Sequence, residues 1–434
     1  MDIRSIYSGV ASNALGNVLM LAATLWLTRV LSPEEFGQFR VGSGFALLII
    51  PFLALGGERI ISTHIQRRTD ADQPIAGALA TVFTVTGVGV LLLVALAPVI
   101  LPTVLGGNVP IGVYLLSIAI IPLTIAYNLA NTIWRHVGST SAAQIHLNLV
   151  QRAFRAPLLV GFALAWPTAV SASLAMLLSQ AISLIQVRRH LLAYPTRLIG
   201  KLGQAVADNY RTMLIVGLPV AVMASVDRLD VLLVNGVMGV DQAGTYDIVF
   251  LLSLTAMFPA MALAKSSEPF LLGVATDTSL LKQLRRLQLR TFVLSLAGAA
   301  GIAVAAPLLT PVLGNAGPDF APAAIALSAG LALSSASGPV IEYMQINGRA
   351  RLVLIVIGVL LPIFLGFKYV AASMDSLVGV AALAGAFYCV LRIVLALCIR
   401  LLDGISLAPL SLAIGATISY IPLAAAIAIW WPKS

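Results

Sequence analysis

Val30-Leu31-Ser32-Pro33-Glu34-Glu35-Phe36-Gly37-Gln38-Phe39 and Val237-Met238-Gly239-Val240-Asp241-Gln242-Ala243-Gly244-Thr245-Tyr246 are two versions of one turn, each following a long apolar run. Two further pairs keep the same order around them. Ala97-Pro98, Pro102 and Val104-Leu105-Gly106 return as Ala306-Pro307, Pro311 and Val312-Leu313-Gly314. Arg135-His136-Val137-Gly138 is paralleled by Gln345-Ile346-Asn347-Gly348. The separations, roughly 207 to 210 residues, drift only as small loop insertions allow, which is the signature of an internal repeat.

The material between these landmarks sets the solvent. Of 434 residues, 59% are hydrophobic and 10% charged, where soluble domains carry about a quarter charged. Apolar runs of about 20 residues, enough to cross a hydrocarbon core of about 30 Å as helix, recur throughout. About thirteen are expected, near 8–31, 36–57, 75–105, 110–133, 146–166, 168–187, 208–234, 243–270, 291–313, 320–345, 350–372, 376–400 and 408–432. They lack sustained period-two alternation, so helices rather than a transmembrane barrel are expected. The first lacks a small-residue cleavage site and reads as a signal anchor.

The repeat spans six helices, an even number, so both copies enter from the same side and are related by an axis along the membrane normal. The expected architecture is an all-α polytopic membrane protein of two pseudo-symmetric six-helix bundles around a central cavity. It divides into a lobe over 1–187, a linker over 188–207, a second lobe over 208–400 and an extra helix over 401–434.

Bases cluster at alternate connections: Arg4, the 59–68 group, Arg135 with Arg152 and Arg155, the 188–211 and 265–290 groups, Arg349 with Arg351, and Arg392 with Arg400. Arg29, Arg40, Arg228, Lys368 and Lys433 lie toward the opposite ends. The positive-inside rule then puts the N-terminus and the base-rich connections in the cytoplasm of a bacterial inner membrane, and a thirteenth span puts the C-terminus in the periplasm. The bases follow loops rather than one soluble face, so nucleic acid is not an expected partner. Segments 188–211 and 273–290 mix bases with Leu and Ile and suit either anionic headgroups or a solvated linker.

Catalytic chemistry finds little support. No G-x-x-x-x-G-K-[ST] loop is present to cradle ATP phosphates. His64, His136, His146 and His190 lack metal-ligand spacing, and Cys389 and Cys398 share one helix, so neither a metal site nor a disulfide is expected. Glu34 and Glu35 are the outer-loop carboxylates a membrane glycosyltransferase or polysaccharide polymerase needs. Yet Ser32-Pro33-Glu34-Glu35 reads fully as a helix start, with Ser as N-cap, Pro at the first position and Glu closing a capping box.

Thr28-Arg29-Val30-Leu31-Ser32-Pro33-Glu34-Glu35-Phe36-Gly37, Asp227-Arg228 followed by Gly244-Thr245-Tyr246, and Gly348-Arg349 resemble the polysaccharide transporter family of the MOP exporter superfamily, over nearly the whole chain. The resemblance implies two six-helix bundles around a central cavity, as in MATE transporters. It implies flipping of undecaprenyl-pyrophosphate-linked oligosaccharide from the cytoplasmic to the periplasmic leaflet for surface polysaccharide synthesis. It also implies membrane lipid as surroundings, a polysaccharide polymerase and chain-length proteins as partners, no cofactor, and energy from protons or sodium. Family members have twelve or fourteen spans, and thirteen departs from that. A drug or cation antiporter of the same superfamily is the alternative, with Asp227 and Glu342 as buried carboxylates for ion coupling.

A diphosphate with a polar glycan needs a polar, basic route. Asn13, Asn17, Thr24 and Thr28 share one face of the first span and either line that route or bond between packed helices. Ionisable groups inside spans cost about 2.5–3.5 kcal/mol at the helix centre, so each is a candidate: Asp227, Arg228, Asp230, Glu342 and Arg392. Arg59, Arg152, Arg155 and Lys265 are the bases suited to phosphate oxygens. Glu58 and Lys265 are repeat equivalents and form a candidate gate by ion pairing, against the simpler reading that both snorkel to water. Gly217-Leu218-Pro219 can kink the seventh span.

Overall fold

In the computed structural model, which describes residues 3–66, 72–193, 202–267, 271, 277–311, 313 and 317–430, every regular element is helical. The first half runs α1 (Ile3–Val30), α2 (Pro33–Ala54), α3 (Gly57–Gln66), α4 (Asp72–Ala95), α5 (Ala97–Thr103), α6 (Ile111–Val137), α7 (Thr140–Ile145), a π turn (His146–Val150), α8 (Gln151–Ala165) and α9 (Ala169–Leu192). The second runs α10 (Leu202–Met238), α11 (Val240–Leu254), α12 (Phe258–Ser267), α13 (Thr278–Leu309), α14 (Phe320–Ser334), α15 (Val340–Ile346), α16 (Ala350–Ser373), α17 (Leu377–Asp403) and α18 (Leu410–Trp430).

Among the described residues, eleven helices are long and apolar enough to cross a membrane, where about thirteen spans are expected. The two that fall short are the fifth and seventh. Both are helical: the fifth is divided by the π turn, which leaves α8 at 15 residues, and of the seventh the apolar stretch Gly217–Val226 is what lies wholly within the described residues.

Helix starts follow local chemistry. Ser32 Oγ accepts from the Glu35 amide at 3.2 Å, with Pro33 in the first turn. The expected return bond from Glu35 to its own N-cap gives way to a tertiary one: the carboxylate accepts from the Ala169 amide and so caps α9. Ser139, Thr168 and Ser376 cap α7, α9 and α17 in the ordinary side-chain manner. Asp277 caps α13 through the Ser279 and Leu280 amides at 2.8 and 3.3 Å. Hydrogen bonds, that of the Ser279 side chain first, hold its exposed carboxyl below the ordinary value.

Contacts divide the chain into two compact units, residues 3–244 and 245–434. In the first, α10 packs on α2 and α4, α6 on α9, and α1 on α8. Ile61, Ile75, Val82, Ile121, Leu129 and Met213 make a fully apolar core. The buried face of α9 is Ala169, Ala172, Ala175, Ser179 and Ser183, small residues that let helices approach closely where lipid supplies no hydrophobic drive. The two turns of the repeat meet here: Gly244 lies against Phe36 and Gly37, and Gly37 against Val240. Between α2 and α3 the chain bends at Leu55 and Gly56, both with positive φ (48° and 65°), and this bend rests on Gly217 of α10. A Cβ there would lie 2.2 Å from the Leu55 carbonyl carbon. Around Pro219, α10 continues as one helix to Met238.

In the second unit α14 packs on α17, α13 and α18. The expected tenth span breaks after Ser335–Ser337 at Gly338, φ 78°. The extra C-terminal helix is an integral part of this unit. Tyr420 of α18 is 1% exposed, lies against Gly330 and Gly385, and donates to Ala326 O (3.0 Å) and Ala382 O (2.9 Å), bridging α14 and α17. Tyr420→Phe is expected to lower stability by about 0.6–1.5 kcal/mol, and Tyr420→Ala by about 3–5 kcal/mol, the cost of emptying a buried aromatic site. Thermal unfolding in detergent reads both, and an unchanged Tm for the alanine variant would show that α18 is held elsewhere.

Candidate functional site

The most polar interior of the first unit is built around the π turn. A π turn inserts one residue into a helix and re-aims the side chains after it. Here it separates α7 from Gln151, Arg152 and Arg155 at the start of α8. Gly16 of α1 lets that helix press against the turn, since a Cβ at 16 would stand 1.9 Å from Asn148 O and 2.9 Å from Arg152 Cδ. The approach brings Asn13 within reach of Arg152, whose Nη1 donates to Asn13 O and Oδ1, both at 3.2 Å. Asn17 donates back to Asn13 O and Oδ1 at 2.8 and 3.1 Å.

Arg155 reaches α9. Its Nη2 donates to Gln180 Oε1 at 2.9 Å and its Nε to Ser179 Oγ at 3.4 Å. Among the described residues, every hydrogen-bond acceptor of Arg152 and Arg155 is therefore a neutral amide, carbonyl or hydroxyl. Arg152 stands within electrostatic reach of Arg155, and Arg40 of α2 within reach of Arg155 and of Arg228 on α10. Four guanidiniums thus gather in one helical unit.

Beside them His146 joins Tyr127 Oη (3.0 Å, from Nδ1) and Gln186 Oε1 (2.8 Å, from Nε2). Trp134 stacks on His190 at 5.0 Å and meets His146 edge-on at 5.6 Å. These bonds fix the π turn against α6 and α9, so the arginines stand on a rigid frame.

The expected candidates are distributed as follows. Asn13, Asn17, Arg152, Arg155 and Arg228 come together. Of the α1 stripe, Asn17 and Thr28 bond within their own helix, and Thr24 and Thr28 are 1% and 5% exposed. Arg59 lies on α3, where burial first and Arg135 second hold its guanidinium below the ordinary value. Glu58 is half-buried on the same helix. Arg392 and Glu342 belong to the second unit, within electrostatic reach of each other, and Arg392 Nη1 donates to Gly338 O at 3.2 Å across the helix break. The side chains of Asp227 and Lys265 lie outside the described residues, and with Lys265 so does the proposed Glu58–Lys265 pair.

Two members escape a sequence reading. Arg40 counts there as a base near the opposite end of its span, yet it belongs to the basic group. Gln180 reads as one polar residue in an apolar helix. The signal for both was available: each is a polar side chain inside a span, which needs a partner there.

No family model and no curated protein matches the chain. Solved structures do. The MATE multidrug transporter DinF-BH, in a ligand complex, matches with a TM-score of 0.64 and 17% identity, over 92% of this chain and 96% of its own. The lipid II flippase MurJ in its inward closed conformation gives 0.61 and 9%, over 97% and 93%. A MOP superfamily transporter from Pyrococcus furiosus, described as having a binding pocket of reverse polarity, gives 0.55 and 15%, over 98% and 96%. The chain shares the fold of these transporters, and its long apolar helices are those of a multi-pass membrane protein.

Proposed function

We propose that this chain is a flippase that moves an undecaprenyl-pyrophosphate-linked oligosaccharide from the cytoplasmic to the periplasmic leaflet of a bacterial inner membrane, for surface polysaccharide synthesis. The N-terminus is cytoplasmic, and transport proceeds by alternating access of the two six-helix lobes the repeat defines. One observation supports the reading: among the described residues, Arg152 and Arg155 sit inside a helical unit with neutral hydrogen-bond partners, within electrostatic reach of each other and, through Arg155, of Arg40. A buried cation left without a carboxylate is costly. The cost is offset when an anion arrives, and guanidinium forks match phosphate oxygens. Beside Arg152 and Arg155 an anion is favoured over a drug cation. The fold hosts both chemistries, since its solved examples include a lipid II flippase and a multidrug transporter.

In this reading a polymerase and chain-length proteins act downstream, and protons or sodium supply the energy. The test is a deletion strain. Surface polysaccharide is expected to disappear while its lipid-linked precursor accumulates in the cytoplasmic leaflet. Normal polysaccharide together with altered sensitivity to cationic drugs would overturn the proposal in favour of a drug antiporter.

A further inference from the structure

The bases of segment 273–290 that the structure describes do not lie on a separate in-plane helix. From Thr278 they belong to α13, which runs unbroken to Leu309 and contains no acidic residue. Lys282, Arg286 and Arg290 recur every four residues, which places them on one face, and all three are exposed. At helical spacing that face continues into Val293 and Leu294, then Ala297, then Val304 and Leu308, the last two each 68% exposed. The opposite face is packed inside the second unit through Leu284, Gln288, Phe292, Ser295, Ile302 and Ala306. Arg285 is turned away, donating twice to Ser406 O at 2.8 and 2.7 Å.

An apolar strip that runs without interruption into three bases has the form of a phospholipid: acyl chain below, charged headgroup above. The bases span about 12 Å at 1.5 Å per residue, against a headgroup layer of about 5–7 Å per side. Arginine and lysine stems bend back to cover that difference. A merely solvated basic face does not explain Leu287 and Leu289, exposed at 36% and 51% among the bases. Leucines there gain free energy only beside acyl chains or the headgroup boundary. We infer that the exposed face of α13 is a binding strip for an anionic phospholipid, with Lys282, Arg286 and Arg290 on its headgroup phosphate. The inference is independent of the transported substrate.

A site-specific reporter tests it. The five native tryptophans are changed to phenylalanine, A297W places one tryptophan on the strip, and the protein is reconstituted with brominated phosphatidylglycerol or brominated phosphatidylcholine. Quenching is expected to report at least about a fivefold preference for the anionic lipid, the effect of a single base near a charged surface. The preference should fall to near unity in K282Q/R286Q/R290Q and weaken in high salt. It should survive in R188Q/R189Q, which removes exposed bases elsewhere. Native mass spectrometry of the unaltered chain gives a second reading: delipidated protein should retain phosphatidylglycerol over phosphatidylcholine, and the triple variant should not. Equal quenching by both lipids with the bases present, or a preference that persists without them, overturns the inference.

Discussion

Arg155→Ala is expected to lower translocation by at least about thirtyfold, the effect of removing roughly 2 kcal/mol or more of a desolvated charge contact. The fold should survive. Among the described residues Arg155 donates to Gln180 and Ser179, and it repels Arg152 and Arg40, so its loss removes self-repulsion along with two hydrogen bonds to neutral groups. Thermal stability should therefore stay level or rise, as at sites where function opposes stability. Arg155→Lys keeps the charge but loses the planar fork, and an intermediate rate is expected. The assay is movement of a labelled lipid-linked diphosphate across reconstituted vesicles, with Tm measured in parallel. Full transport by Arg155→Ala would remove these arginines from the substrate path.

The second large effect concerns no functional group. Gly16→Ala places a methyl 1.9 Å from Asn148 O, a backbone atom held by the π turn, and no rotamer change relieves that contact. Either α1 moves outward or the turn unwinds. Overpacking of this kind costs about 1–3 kcal/mol and at times more. Here the displacement also separates Asn13 from Arg152, so stability and transport should fall together, unlike in Arg155→Ala. Gly161→Ala on α8 is the control, because nothing stands within 4 Å of its added methyl. It should be neutral or stabilising by about 0.5–1 kcal/mol, the usual gain of Ala over Gly in a helix. Equal Tm values for the two variants would mean that α1 does not press on the turn.

How far the sequence could be read follows from which information is local. Ser32 as N-cap depends on four neighbouring residues and was legible. The role of Glu35 was not, because its acceptor oxygen serves Ala169, a residue distant in sequence and adjacent only after folding. The repeat was legible because it is a comparison of the chain with itself. The π turn left no trace in periodicity, since a single inserted residue shifts the helical phase by less than an apolar run records. Arg152 and Arg155 are legible as bases of a base-rich connection suited to phosphate oxygens, whereas the nearness of Arg40 to Arg155 and Arg228 is set by helices distant in sequence. The break at Gly338 was masked by the apolar residues on either side, which read as one span. Lys282, Arg286 and Arg290 are visible as bases, but their standing on the exposed face of one unbroken helix is a property of the folded chain.

The bend at Leu55 and Gly56 has a consequence for biosynthesis. Its support, Gly217, is translated long after α2 and α3. At about 5–20 residues per second the interval is on the order of ten seconds or more. During that time the left-handed Leu55 has no packing partner from α10 to hold it, and the leading helices must wait in the insertion machinery or the bilayer with this joint unsettled. The first unit closes only when the chain has passed residue 238, so a nascent chain stopped after α9 lacks a wall of the first unit. Membrane insertase or chaperone assistance is needed most in that window, and fragments cut at the base-rich linker are poor units for expression even though the repeat suggests them.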